Sequence, residues 1–394
     1  MQPRPWAFPG RLVPMTRTPG ELSLVLHRAV GELRRASRLQ ALRAGEGAVM
    51  LCELLPPAIE VIEDPVGTVT AAVGRSIDAL APVIAAAPTS PALREAWLER
   101  LWAALAGDEA GHLRRLAEHW GALCVTPTRA AVWALRLLPA AREGVASSAS
   151  VACLASQVAA GRHEAALELL AARTIAVWPE RQFGVRALAA RGELDAALLY
   201  AQASNPLGHR HAQDIARVCE AVLLAAGRRE AAYRDYALVA HTRQNCRQTF
   251  DALLRAYPEV GPSQLLEDLI AASPGQEGRW FATACALRVH ALAAEIAGRS
   301  PCDPRTLIRA GLQQLAADPE FAGEVGLAAI RWLCGGHGVE ISGDDVYAAH
   351  DLARAAAQRT GNEAGLRAAV AALCDQPHPA AQWVHGLLVR ELAG

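Results

Sequence analysis

Side chains able to do chemistry gather at four places in this chain. One is the run Ser273-Pro274-Gly275-Gln276-Glu277-Gly278-Arg279-Trp280-Phe281. Read as local structure, Ser273 caps a helix, Pro274 takes its first position and Glu277 lies near the positive end of the helix dipole. Trp280 and Phe281 then lock that helix on its neighbour. Read as a binding feature, Glu277 and Arg279 form the rim of a ligand groove. The first reading is preferred, because no catalytic partner lies nearby in sequence. Two further places carry metal-capable types: His209-Arg210-His211 with Asp214, then His241 and Cys246; and Cys334-Gly335-Gly336-His337. Tetrahedral zinc needs four converging ligands, and neither cluster offers them at a recognised spacing, so no metal or other cofactor is expected.

The fourth place is a basic strip. Arg228, Arg229, Arg234, Arg243, Arg247 and Arg255 recur with Tyr233, Tyr236, His241, Gln244 and Asn245 between them. Arginine forks and aromatic rings are what phosphate contacts and base stacking require. Glu230, Asp235 and Asp251 are interleaved, however, and at helical spacing would pair with these arginines on a solvated face.

Composition removes whole classes of activity. The chain has no lysine, and all 39 basic side chains are arginine. Schiff-base chemistry, a pyridoxal-phosphate lysine and a phosphate-loop lysine are therefore excluded. There is no G-x-S-x-G, S-x-x-K or H-E-x-x-H. A formal net charge of −1 argues against a globally basic nucleic-acid binder. The nine cysteines form no C-x-x-C pair and mostly sit inside apolar runs, as buried free thiols do. With no secretory leader in sight, they point to a reducing, cytoplasmic setting. No run reaches the roughly 18 uninterrupted apolar residues of a membrane span.

The elements that must position these residues are helices. Hydrophobic residues make up 52% of the chain and aromatics only 5%, so alanine and leucine must fill the core. Valine and isoleucine rarely alternate with polar residues, so strand signals are weak. A flexible arm is expected over 1–19, a helical region over 20–146, a hinge over 144–150 and a repeat array with C-terminal helices over 151–394. The first helix is expected over 21–43, with Leu22, Leu24, Leu26, Val30, Leu33 and Leu39 inward; the second, over 47–62, should kink at Pro56-Pro57. From residue 151, three stretches repeat one idea: Ala160-Gly161-Arg162-His163-Glu164-Ala165-Ala166, Arg191-Gly192-Glu193-Leu194-Asp195-Ala196-Ala197 and Ala226-Gly227-Arg228-Arg229-Glu230-Ala231-Ala232. Their glycines lie 31 and then 35 residues apart. That period marks stacked helix-turn-helix units, and predicts an all-α, tetratricopeptide-like superhelical solenoid of antiparallel helix pairs.

Farther on, Thr249-Phe250, Leu254, Tyr257-Pro258, Leu266-x-Asp268-Leu269-Ile270 and the 273–281 run form a pattern, continued by Gly326-Leu327-Ala328-Ala329-Ile330-Arg331-Trp332-Leu333 and Glu340-Ile341-Ser342-Gly343-x-Asp345-Val346-Tyr347. Over about 150–355 it resembles an uncharacterised bacterial helical-repeat region, found in stand-alone proteins and beside SWIM-type zinc fingers. The resemblance implies an α-solenoid and no particular activity. The C-x-C of a SWIM finger is absent here, so its zinc and DNA-binding roles do not carry over.

These observations predict a non-enzymatic helical-repeat scaffold or adaptor that holds a protein or peptide partner on its concave surface. Arg228, Arg229, Tyr233, Arg234, Arg243, Arg247, Glu277 and Arg279 are the candidate partner-binding residues. The alternative is a nucleic-acid-binding repeat protein that uses the arginine strip.

Overall fold

The computed structural model describes residues 6–12, 18–59, 62, 64, 67–143, 146–173, 175–204 and 211–392. Among the described residues every regular element is helical and none is a strand, so the chain is all-α. It divides into two compact units, Met1–Arg228 and Arg229–Gly394. The first contains α1 (Pro9–Leu12), α2 (Pro19–Ser37), α3 (Ala41–Ile59), α4 (Thr68–Ala86), α5 (Pro91–Ala106), α6 (Arg114–Glu118), α7 (Trp120–Cys124), α8 (Pro127–Ala141), α9 (Ser148–Ala159), α10 (His163–Ala171), α11 (Trp178–Ala190), α12 (Leu194–Gln202) and α13 (Ala212–Ala225). The second contains α14 (Arg229–Ala232), a π-helical turn (Tyr233–Ala237), α15 (Leu238–Ala240), α16 (Cys246–Ala256), α17 (Pro262–Ala271), a 3₁₀ turn (Glu277–Trp280), α18 (Phe281–Ala286), α19 (His290–Arg299), α20 (Pro304–Gln314), α21 (Pro319–Cys334), α22 (Gly343–Thr360), α23 (Glu363–Cys374) and α24 (Pro379–Leu392).

Many helices start by one local rule. A short oxygen-bearing side chain precedes a proline: Thr18-Pro19, Ser90-Pro91, Thr126-Pro127, Asp303-Pro304 and Asp318-Pro319. The side chain accepts an amide hydrogen of the first turn, while proline surrenders an N–H that has no helical partner there. At α2 the arrangement is reciprocal, since Glu21 also accepts from the Thr18 N–H at 2.9 Å.

The N-terminal region departs from expectation in several respects. The single helix expected over 21–43 is two, broken between Ser37 and Ala41. Leu22, Leu26 and Leu33 are buried as expected, but Leu24 is 50% exposed and Leu39, in the link, is 91% exposed. Val30 is partly buried against the same core, so of the six only Leu24 and Leu39 fall off the stripe that faces it. The prolines at 56 and 57 fall within the end of α3, which runs on to Ile59. Of the expected arm, residues 1–5 and 13–17 lie outside the described residues; Phe8 and Leu12 are buried, and Trp6 lies beneath the Arg43 guanidinium. Gly47 makes room for that ring, as a Cβ there would meet it at 2.7 Å. The expected hinge over 144–150, of which 144 and 145 are not described, falls inside the first unit, where α8 and α9 pack together.

One continuous core runs through the first unit. Trp102, Trp120 and Trp133 cluster there with ring centroids 5.1–6.1 Å apart. Helix α4 has the length and hydropathy of a membrane span, and its Val69, Val73, Ile77, Leu80 and Ile84 are buried in this core.

The repeat glycines share one geometry. Gly161, Gly192 and Gly227 have φ of +73°, +83° and +73°. In each turn the N–H after the glycine reaches back to a carbonyl five residues earlier: Arg162 to Gln157, Glu193 to Leu188 and Arg228 to Leu223. This left-handed closure satisfies carbonyls at the helix end, and glycine adopts it without a Cβ penalty. It joins α9 to α10 and α11 to α12, and it ends α13. Helix α11 packs against both α9 and α13.

A buried ion pair fastens the start of this array. Arg173 and Glu180 meet at 2.8 Å, with side chains only 2% and 0% exposed. Arg173 also donates to the Ala141 carbonyl at the end of α8, and the Ser150 hydroxyl near the start of α9 donates to Glu180 at 2.6 Å. Removing one partner leaves a buried charge without compensation. Glu180→Ala should therefore cost about 3–5 kcal/mol; a chemical-denaturation midpoint equal to the parent's would refute this role.

Seven of the nine cysteines are buried, and Cys246 and Cys285 are partly exposed. Burial pushes the thiols of Cys52, Cys124 and Cys302 up to about 12, and those of Cys153 and Cys285 up to about 11. A thiol reagent at neutral pH should thus label Cys246 promptly in the native protein and most others only after denaturant is added. Mass mapping of the labelled sites checks this; prompt labelling of most cysteines would contradict it.

Candidate functional site

Residues expected to bind a partner are mostly engaged within the protein. Arg229 pairs with Glu259, and its guanidinium lies 4.6 Å from the Tyr257 ring centroid. Arg234 meets Asp235 at 2.7 Å and Arg247 meets Asp251 at 3.1 Å. Arg255 and Arg243 donate to the backbone carbonyls of Asp251 and Thr242. The Tyr233 hydroxyl donates to Asp268; burial and that carboxylate push its ionisation well above the usual phenol range. Arg228 is exposed at the end of the first unit. The strip is thus a row of arginines, three of which hold a carboxylate.

The 273–281 run is built differently from the expected cap. Ser273 lies beyond α17, and its hydroxyl donates to the Leu269 carbonyl while accepting the Trp280 indole N–H at 3.0 Å. Pro274 and Gly275 make the turn, and the helix begins at Glu277 as a 3₁₀ turn. Its own amide, then that of Gly275, with the Ser300 hydroxyl and the Arg299 charge, hold the Glu277 carboxyl below its ordinary range. The Arg279 Nε lies 3.3 Å from the Cys246 Sγ. Trp280 is 3% exposed within the second unit's core.

The metal-capable groups do not converge. His209 and Arg210 lie outside the described residues, while Asp214 meets Arg217 at 3.4 Å. Gly336 repeats the left-handed helix end of the repeat turns, and His337 packs edge-on against Trp332. Among the described residues no group of three or more His, Cys, Asp or Glu is placed to hold an ion.

A cleft of about 690 Å3 in the first unit is lined mostly by residues that the sequence analysis did not single out, with Asp214 and the repeat-motif residues Gly192, Leu194 and Ala226 as exceptions. Helix α11 contributes Trp178, Gln182, Arg186, Ala189 and Ala190; α13 contributes Asp214, Arg217, Val218, Ala221, Val222 and Ala225. Arg115, Glu118 and His119 of the α6–α7 segment also line it, as do Gly192, Leu194 and Ala226. The alanines leave the space: larger side chains at 189, 190, 221 and 225 would fill it. The polar side is one connected network. Asp78 accepts from Arg115 at 2.9 Å and faces His119 Nε2 at 2.7 Å. Glu118, 12% exposed, meets Arg115 at 2.9 Å and accepts from the Gln182 amide at 2.7 Å. The Gln182 carbonyl accepts from Arg186 at 2.9 Å.

The electrostatics follow from this wiring. Burial pushes the Asp78 carboxyl up, but His119 and Arg115 outweigh it and hold the group below its usual range. Burial also works against the Arg115 charge, and Glu118 and Asp78 more than compensate, raising its pKa. Arg186 differs. It is exposed to the water of the concavity, yet protein crowds its head group, and that desolvation lowers its pKa; Glu118 opposes the shift and Arg115 adds to it. The i, i+4 spacing of Gln182 and Arg186, continued by Ala189 and Ala190, was the available sequence signal for this face. Nothing local links it to Arg115 or Glu118.

Comparison with known proteins gives no match to a family model, a curated protein or a solved structure. What the fold and cleft define is an all-α protein with a polar-walled cleft between helices of its first unit.

The Trp280 contacts yield a graded expectation. Trp280→Ala should lower stability by about 3–5 kcal/mol, the range for emptying a large aromatic site. Trp280→Phe keeps most of the packing but loses the Ser273 bond, so it should retain most of that stability. Thermal melts of the two variants decide: a parental melt for the alanine variant would overturn the packing role.

Proposed function

We propose that this chain is a non-enzymatic, tetratricopeptide-like helical-repeat protein that holds a segment of a protein or peptide partner. The observation that carries the reading is the α11–α13 cleft, with methyl groups on one side and a fixed polar network on the other. Such a mixed lining suits a ligand that is partly apolar and oriented by a few polar contacts. Three supports stand beside it: the recurring left-handed turn, the packing of α11 on both α9 and α13, and the near-neutral net charge.

Binding is favoured over nucleophilic catalysis because the Asp78–His119 pair has no serine, threonine or cysteine among the described lining residues. Nucleic acid is the weaker reading of the arginine strip, since phosphate would have to displace carboxylates from Arg229, Arg234 and Arg247.

Panning a displayed random-peptide library on the full chain tests the proposal. Enriched peptides should bind the parent protein and lose binding to Ala221→Trp, whose ring fills the cleft from an exposed position while the melting curve stays parental. Failure to enrich any peptide, or undiminished binding to Ala221→Trp, would overturn the reading.

A further inference from the structure

We propose that the cleft selects a segment carrying one acidic side chain, and that Arg186 is the group that receives its carboxylate. The inference rests on the peptide-binding reading and specifies the chemistry of the occupant.

Charge accounting within the cleft comes first. Arg115 is matched by Asp78 and Glu118, and Arg217 by Asp214. Arg186 has no carboxylate within ion-pair distance among the described residues; its polar contact is the neutral Gln182 carbonyl. Over the cleft as a whole these three arginines face three carboxylates, but Arg186 is the one of the three with no carboxylate bonded directly to it, so an incoming carboxylate would pair locally with its guanidinium. A phosphate, carrying about −1.5 to −2 at neutral pH, would meet stronger repulsion from Glu118 and Asp214 than a single carboxylate does.

Arg186 is also held in place for the task. Both amide hydrogens of Gln182 are committed, one to Glu118 at 2.7 Å and one to the Pro179 carbonyl at 3.1 Å. The amide therefore presents its oxygen to Arg186, not its nitrogen. The guanidinium lies 5.0 Å from the Phe183 ring centroid, so the fork is fixed by a ring and by one hydrogen bond. A carboxylate can take two parallel bonds from such a fork.

The position along the cleft selects a side chain rather than a chain end. Lining residues of α11 extend from Trp178 to Ala190, with Arg186 between them. At 1.5 Å per residue that wall is about 18 Å long, enough for about five residues of extended chain at roughly 3.3 Å each. A segment lying along it has wall on both sides of the guanidinium, with Ala189 and Ala190 beside it to contact apolar neighbours of the acidic residue.

Fluorescence anisotropy with labelled pentapeptide pools tests this. Each pool is acetylated and amidated, is randomised over Ala, Val, Leu, Ile and Phe, and carries Glu, Gln or phosphoserine at its centre. On the full chain the Glu pool should bind about ten-fold more tightly than the Gln pool, equivalent to about 1.4 kcal/mol. Arg186→Gln should bring the Glu pool to the level of the Gln pool and leave the latter unchanged. Ala221→Trp should weaken both. Arg186→Lys keeps the charge without the fork and should fall between parent and Arg186→Gln, which serves if the glutamine variant does not fold. Equal binding of Glu and Gln pools, both weakened by Ala221→Trp, would overturn the carboxylate inference and leave the peptide reading standing. No binding by any pool, or indifference to Ala221→Trp, would overturn both. Tighter binding of the phosphoserine pool would replace the single-charge ligand with a dianion and refute the inference.

Discussion

An alanine-rich helix has little to stop it, and the repeat region depends on stopping at the right residue. Alanine favours continuing the helix, and small side chains contribute few long-range contacts that would bend the path. The stop is supplied by the backbone: a residue in the left-handed region, followed by an N–H that returns to the carbonyl five positions back. Gly161, Gly192, Gly227, Gly336 and Gly361 all provide it, and Arg288 adopts the same region with φ of +60°. The closure ends α9, α11 and α13 in the same way, and α11 packs against both of the others.

Charge plays two distinct parts in the first unit. Around Arg173 and Glu180 it is fully enclosed, and the end of α8 and the starts of α9 and α11 converge on a pair that has no water to fall back on. Such a pair is a modest source of net stability but a strict condition on geometry, since either charge alone would be intolerable there. In the cleft, charge is shared along a chain from Asp78 through Arg115, Glu118 and Gln182 to Arg186. Each link orients the next. Of the charged members, Asp78, Arg115 and Glu118 each meet an opposite charge or a histidine, whereas Arg186 meets only the neutral Gln182 carbonyl among the described residues.

The arginine strip shows why composition is a poor guide to binding. Its residues have the types and spacing of a phosphate-binding face, yet Arg229, Arg234 and Arg247 each hold a carboxylate. Exposed pairs of this kind contribute little stability, but they determine whether a cation presents itself to a partner. Arg186 stands in less suggestive sequence, with glycine, valine, alanine and leucine around it, and its polar contact in the cleft is the neutral Gln182 carbonyl.

Residue types and local spacing determined a good deal. The all-α class was legible in the alanine and leucine content and the scarcity of alternating strands. A capping side chain before proline starts a helix at Ser90-Pro91 but makes a turn at Ser273-Pro274, so that signal was only partly legible; the left-handed turns were legible in Gly161, Gly192 and Gly227, because a helix stop is decided by hydrogen bonds within a few residues. Burial of Leu22 against exposure of Leu24, the Ser273–Trp280 bond and the docking of Phe8 were not legible, since each depends on which surface lies opposite. The same holds for the cleft. Asp78, Arg115 with Glu118, and Gln182 with Arg186 come from three helices, α4, α6 and α11, across more than a hundred residues, and no local pattern joins the three. Short-range backbone bonding is written in the order of residues, whereas a site assembled from distant side chains exists only once the helices have packed.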